Sequence, residues 1–168
     1  MAISMHRISV FIYVRHLTGL VNCLKKTQAL YAEKKCDETT LLSYRFYPNM
    51  FNFAKQVQAA TDHARSSSAQ LAGQEPPKYE DNEKSLAELI ARVEKTIAYL
   101  NTINPEQLAG AEEKSVIIKM RSGDVTFKGL ELVQDRAMPN FYFHCATAYD
   151  IMRHNGVEIG KKDFMGAS

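Results

Sequence analysis

In the stretch Leu86-Ala-Glu-Leu-Ile-Ala-Arg-Val-Glu-Lys-Thr-Ile-Ala-Tyr-Leu100, the apolar residues Leu86, Ile90, Val93, Ile97 and Leu100 recur at alternating spacings of four and three. An α-helix completes a turn every ~3.6 residues, so this rhythm lays all of them along one side. The segment therefore reads as an amphipathic helix with a buried face. Asp81 or Asn82 is its expected cap. Upstream, Gln74 to Tyr79 contains Pro76-Pro77 and reads as a loop.

The same rhythm extends on both sides. A second helix is expected from Tyr47-Pro48-Asn49, with Pro48 or Asn49 at its first position. It carries Met50, Phe53, Val57, Ala60, Ala64 and Leu71 on one side and stops at Gly73. The small residues Ala64, Ser66, Ser67, Ser68 and Ala69 let another helix approach closely, or leave room for a ligand. A first helix is expected from about Ile3 to Glu33, with Val10, Tyr13, Leu17, Leu20, Leu24 and Tyr31 on its stripe and His16 near the buried face. Asp37 caps a short turn through Leu41-Leu42.

Downstream, Asn104-Pro105-Glu106-Gln107 reads as a capping box that opens a short turn ending by Gly110. The period then changes. Val116, Ile118 and Met120 alternate with Ile117, Lys119 and Arg121; Ser122-Gly123-Asp124 follows, then Val125-Thr126-Phe127. Alternation around a glycine turn predicts a β-hairpin, which must lie against helices to be stable. A fourth helix is expected from about Gly129 to His154, with Gly156 just past its end. Pro139 should kink or divide it. Phe141, His144, Ala148 and Ile151 share its inward seam. The tail from Val157 to Ser168 is expected to fold back over one end.

Four such helices in 168 residues predict an all-α fold. It is a single domain over residues 1–168, an antiparallel four-helix bundle with a small β-hairpin between helices 3 and 4. A chain of this size buries roughly 70% of its unfolded surface and needs no disulfide or metal staple. Lys+Arg 21 against Asp+Glu 19 gives +2, spread evenly, so no nucleic-acid partner is expected. Cys23, Cys36 and Cys145 form no C-x-x-C pair and read as reduced thiols of a cytoplasmic protein. No stretch approaches the ~20 apolar residues of a membrane span, and the apolar stretch Ile8 to Val14 lacks a cleavage site, so neither a membrane nor a signal peptide is expected.

Three motifs stand out together: Pro139-Asn140-Phe141-Tyr142-Phe143-His144 continuing through Ala148 to Gly156, Arg45-Phe46-Tyr47-Pro48-Asn49-Met50, and Thr61-Asp62-His63-Ala64. With them the chain resembles, over nearly its whole length, a family described as a domain of unknown function within the DinB/YfiT-like superfamily of four-helix bundles. The resemblance implies an up-down-down-up bundle, often a homodimer, for which Phe11, Phe46 and Phe51 are candidate surface residues. It also implies a divalent metal, Ni or Zn, held by a histidine on the second helix and two histidines four apart on the fourth. Residues i and i+4 share a helix face, so two imidazoles there can grip one ion.

Carried onto this sequence, the resemblance makes His63 and His144 the candidate metal ligands. The third position is Ala148, which ligates nothing, so the triad is incomplete. Asp62 points about 100° away from His63, Asp150 lies off the face of His144, and His16 is the remaining nearby imidazole. The candidate ligand-binding residues are Arg45, Asp62, Tyr142 and Tyr149. Arg45 is expected to pair with Asp62 or Asp135, the alternative being a surface arginine beside a loop. The two tyrosines share one face of the fourth helix, where they line a pocket or, as the commoner role, pack against a neighbouring helix.

Two readings of His63 and His144 stand open: a packed, hydrogen-bonded pair, or ligands of a metal. Function divides accordingly. One reading is a bundle that binds a small molecule or partner at a degenerate metal-type site around His63/His144. The alternative is a Ni- or Zn-dependent transferase or hydrolase of the DinB-like type. Walker-type, dinucleotide-binding, nucleophile-elbow and di-iron motifs are absent from the sequence.

Overall fold

The structure is a computed structural model that describes residues 4–120 and 123–166. The expected helix start at Ile3, the turn residue Ser122 and the chain end at Ser168 lie outside these residues.

The first helical region is broken once. Met5–Ile8 forms α1, and Val10–Glu33 forms α2. At the break, Ser9 has φ −125° and ψ −86°, and its hydroxyl donates to the Met5 carbonyl at 2.6 Å. Asp37 caps α3 (Glu38–Ser43) through the Thr39 amide, as expected. The second long helix, α4 (Phe53–Leu71), starts later than Pro48. Tyr47 to Met50 close a turn instead, and Asn52 caps the helix by accepting from the Lys55 amide at 3.0 Å. The third, α5 (Leu86–Leu100), is capped by Ser85 rather than Asp81 or Asn82. Both of those residues fall in the preceding loop, where Asp81 is drawn into an ion-pair network.

Asn104 and Gln107 make the reciprocal capping box at the start of a short 3-10 turn, Pro105–Leu108. Strands β1 (Ser115–Met120) and β2 (Gly123–Lys128) pair antiparallel, with Met120 opposite Gly123. Gly123 and Asp124 thus open the second strand instead of forming the turn.

The last helical region begins with α6 (Gly129–Glu131), widens to a π-helix at Leu132–Ala137 and continues as α7 (Met138–His154). Pro139 therefore does not split the helix. Its ring would crowd the backbone one turn earlier, and the wide turn lies where that strain would fall. Gly156 adopts φ +89° just past α7, a conformation that suits glycine.

Among the described residues, α2, α4, α5 and α7 are the long helices, and they share one core. Its centre is built from Tyr13, Leu17 and Leu24 of α2, Phe53 and Val57 of α4, Leu86, Leu89 and Val93 of α5, and Phe141 and Ile151 of α7. Each fully buried side chain of this kind contributes about 1.5–3 kcal/mol. The most extensive helix contacts are α4 with α7 and α2 with α5.

The tail lies along the flank of α2, not over an end. Its helix α8 (Lys161–Phe164) crosses at Gly19, where an added Cβ would sit 2.5 Å from the Asp163 carbonyl. Lys26 then pairs with Asp163 at 2.6 Å. No helix among the described residues is long and apolar enough to cross a membrane.

Candidate functional site

Helix α4 faces α7 with a polar stripe inside an otherwise apolar interface. Gln56, His63 and Gln70 fall at intervals of seven, two helical turns, so they share a face. His144 of α7 meets this stripe. The His63 and His144 ring centroids are 5.6 Å apart, with planes within 13° of parallel. Phe51 stacks beside His144 at 5.9 Å, and Phe143 meets it edge-on at 5.3 Å.

Gln56 fixes the orientation of His144. Its amide Nε2 donates to the Phe51 carbonyl at 3.2 Å, which turns Oε1 toward the ring. His144 Nδ1 lies 2.7 Å from that oxygen, so Nδ1 carries the proton and Nε2 keeps its lone pair. Burial pushes the His144 pKa down to about 4, helped by His63 and Lys55. Burial and the nearby Arg136 guanidinium push His63 down to about 4 as well. Both imidazoles are therefore neutral at pH 7.

Beside His63 lies a cavity of about 180 Å³. Asp62, Ser66 and Gln70 line it from α4, Arg136 from the π-helix, and Ile118 from the hairpin. Ser67 braces this wall: its hydroxyl bridges the His63 carbonyl at 2.7 Å and the buried Tyr13 hydroxyl at 3.1 Å.

Asp62 turns its carboxylate elsewhere. Oδ1 accepts from Arg65 at 2.8 Å and from Arg92 at 2.9 Å. Arg92, only 2% exposed at its side chain, also pairs with Asp81 at 3.0 Å and Glu83 at 2.8 Å and donates to Thr61 at 2.8 Å. Lys55 pairs with Asp81. This network ties the loop before α5 to both α4 and α5.

Of the residues expected to form one site, the structure brings together His63 and His144, with Asp62 at the cavity rim. The others lie apart. Arg45 is exposed and donates to the Met50 carbonyl at 3.3 Å. Its expected ion pair with Asp62 or Asp135 is absent among the described residues, because Asp62 is engaged by the nearer Arg65 and Arg92. Tyr142 packs on His16 at 5.0 Å, and the Tyr149 hydroxyl donates to the Ile159 carbonyl at 3.3 Å. Both tyrosines thus face the tail side of α7, away from the cavity. His16 is buried there too, held by the Ile12 carbonyl at 3.0 Å and by Phe141, Tyr142 and Phe164.

Sequence reasoning missed Gln56, Arg92 and Arg136. The heptad spacing from His63 pointed to Gln56. Arg92 sits one residue before the buried Val93, a place where a charged side chain needs a partner. Nothing in the sequence marked Arg136, because its direction depends on the π-helix.

The residues present do not fit a three-histidine metal centre. Ala148 is 0% exposed and packed in the core, and no group of three or more His, Cys, Asp or Glu among the described residues is arranged to hold a metal. Catalytic zinc sites use three protein ligands. Here two imidazoles converge, and the nearest carboxylate is held by two arginines.

Residues 5–165 match the family model described as Domain of unknown function (DUF1993). The fold is similar to the crystal structure of a DinB family member protein from Shewanella denitrificans. The TM-score is 0.90 and the identity 37%, covering 98% of this chain and 93% of that chain. No curated protein matches the sequence.

Proposed function

The chain belongs to the DUF1993 family within the DinB-like superfamily, and on that premise we propose that it binds a small molecule in the cavity beside the His63/His144 pair, without a three-histidine metal centre. The observation that carries this is a stacked pair of imidazoles, His144 oriented by Gln56 and His63 facing a polar cavity, where the third ligand position is Ala148. Such a pair offers hydrogen-bonding nitrogens and flat apolar faces, which suits recognition of a small polar ligand. The contacts of α4 with α7, α2 with α5 and α4 with α5, and the long connection before α5, support an up-down-down-up arrangement of the bundle.

A screen of small molecules by thermal shift tests the proposal, paired with metal analysis of protein purified without a nickel column. The expected result is stabilisation by at least one compound, lost in His63→Ala, with far less than one ion per chain. Near-stoichiometric Ni or Zn that disappears in both His63→Ala and His144→Ala would instead establish the metal-dependent transferase or hydrolase reading.

A homodimer belongs to the same proposal. Phe11, Phe46 and Phe51 are 38%, 42% and 48% exposed, aromatic surface of the kind that a second copy would cover. Light scattering should give twice 19.0 kDa; a single 19.0 kDa species refutes it. A cytoplasmic location is proposed on the three unpaired thiols.

A further inference from the structure

Resting on the reading that the cavity beside His63 takes a small ligand, we infer that the ligand carries an anionic head, a carboxylate or phosphate oxyanion, and that Arg136 binds it. Charge counting leads there. The network next door balances itself: the cations Lys55, Arg65 and Arg92 face the carboxylates of Asp62, Asp81 and Glu83. Arg136 is half-buried, lines the cavity and forms no ion pair among the described residues. A guanidinium partly withdrawn from water and left without a counter-charge is costly, and a ligand oxyanion is the partner its fork geometry fits best.

The backbone aims it. In the π-helix Leu132–Ala137 the hydrogen bonds close between residues five apart. That wider turn brings Leu132, Arg136 and Ala137 into the lining of the cavity together with His63. The Ser66 hydroxyl, the Gln70 amide and the His63 ring, which has no protein hydrogen-bond partner among the described residues, complete a polar pocket. The Asp62 carboxylate also borders it, but two arginines hold its charge.

The cavity is too small for a whole drug-sized molecule. It adjoins a groove of about 370 Å³ under the hairpin, which shares Gln70 and Ile118 with it and adds Pro76 and Ile117. The head therefore sits on Arg136 while a less polar remainder follows the groove. Small aromatic or aliphatic acids and phosphate monoesters have this shape.

The test titrates the purified chain with benzoate, phenyl phosphate and neutral benzamide, following the His63 and His144 ring signals by NMR. Benzoate or phenyl phosphate is expected to move the His63 signals and to bind at least about tenfold more weakly to Arg136→Gln, the scale of one lost charged hydrogen bond. Arg136→Lys should recover part of the affinity, and Lys25→Gln, at a distant exposed pair, should change nothing. A preference between the two anions supports the inference and names the head group. Benzamide binding as well as benzoate, with Arg136→Gln indifferent, overturns the anionic head yet leaves the ligand cavity standing. Failure of every probe at millimolar concentration to move either imidazole overturns both.

Discussion

Asp62 and His63 are neighbours on α4, yet they look into regions of opposite character. Asp62 enters a closed charge network in which Arg92 meets three carboxylates and every charge has a counterpart. His63 stacks on the His144 imidazole and enters an open cavity that it shares with Arg136, a guanidinium without an ion pair among the described residues. The first region is complete within the chain and holds the structure. The second is incomplete within the chain, and that deficit is what a ligand would fill. Charged residues alone therefore do not mark a site; it is the residues left without partners that do.

Substitutions can break this contrast from the structural side first. Arg92→Met leaves the largely buried Glu83 without a cation, while Asp62 keeps Arg65 and Asp81 keeps Lys55. Its expected cost is about 3 kcal/mol in urea unfolding, the largest effect anticipated. A loss below about 1 kcal/mol would mean the network is not cooperative. Gln56→Leu removes the acceptor that fixes His144. It should cost about 1–3 kcal/mol and release the ring from its single tautomer, visible in imidazole ¹⁵N shifts.

A pH series sharpens the other side. Burial first, and nearby positive charge second, lower both histidines from the ordinary 6.5 to about 4 in the folded protein. The unfolded chain then takes up protons before the folded one does. Stability is thus full above about pH 6.5 and declines as the pH falls toward 4. The double variant His63→Gln/His144→Gln should flatten this slope, and an unchanged slope would assign the effect to other groups. The smallest stability change is expected for Arg136→Gln, within about 0.5 kcal/mol, because the guanidinium has no ion-pair partner among the described residues. A large loss there would place Arg136 in the structural network instead.

Much of the architecture was legible in residue spacing. The stripes on α2, α4, α5 and α7 are the observed core, since burial of one helix face imposes its period on the sequence. Caps were less legible. The second helix starts after Asn52 and not at Pro48 or Asn49, and Ser85 caps the third in place of Asp81 or Asn82, because loop residues here are set by tertiary contacts, such as the Asp81 pairing with Lys55 and Arg92. The convergence of His63 and His144 followed from the family resemblance. Arg45, Tyr142 and Tyr149 lie apart from them: residues seven apart share a face without revealing which neighbour that face meets. The tyrosines meet the tail. Arg136 was hidden for a different reason: an extra residue in one helical turn redirects a side chain, and no residue type announces a π-helix.

The most direct measurement is a long-range ¹H–¹⁵N NMR titration of the imidazoles in metal-free protein. The expected result is both rings neutral at pH 7, His144 protonated on Nδ1, cross-relaxation between the His63 and His144 ring protons, and titration well below the ordinary 6.5, at about 4. Ordinary titration near 6.5 with no ring-to-ring contact would contradict the account at its centre.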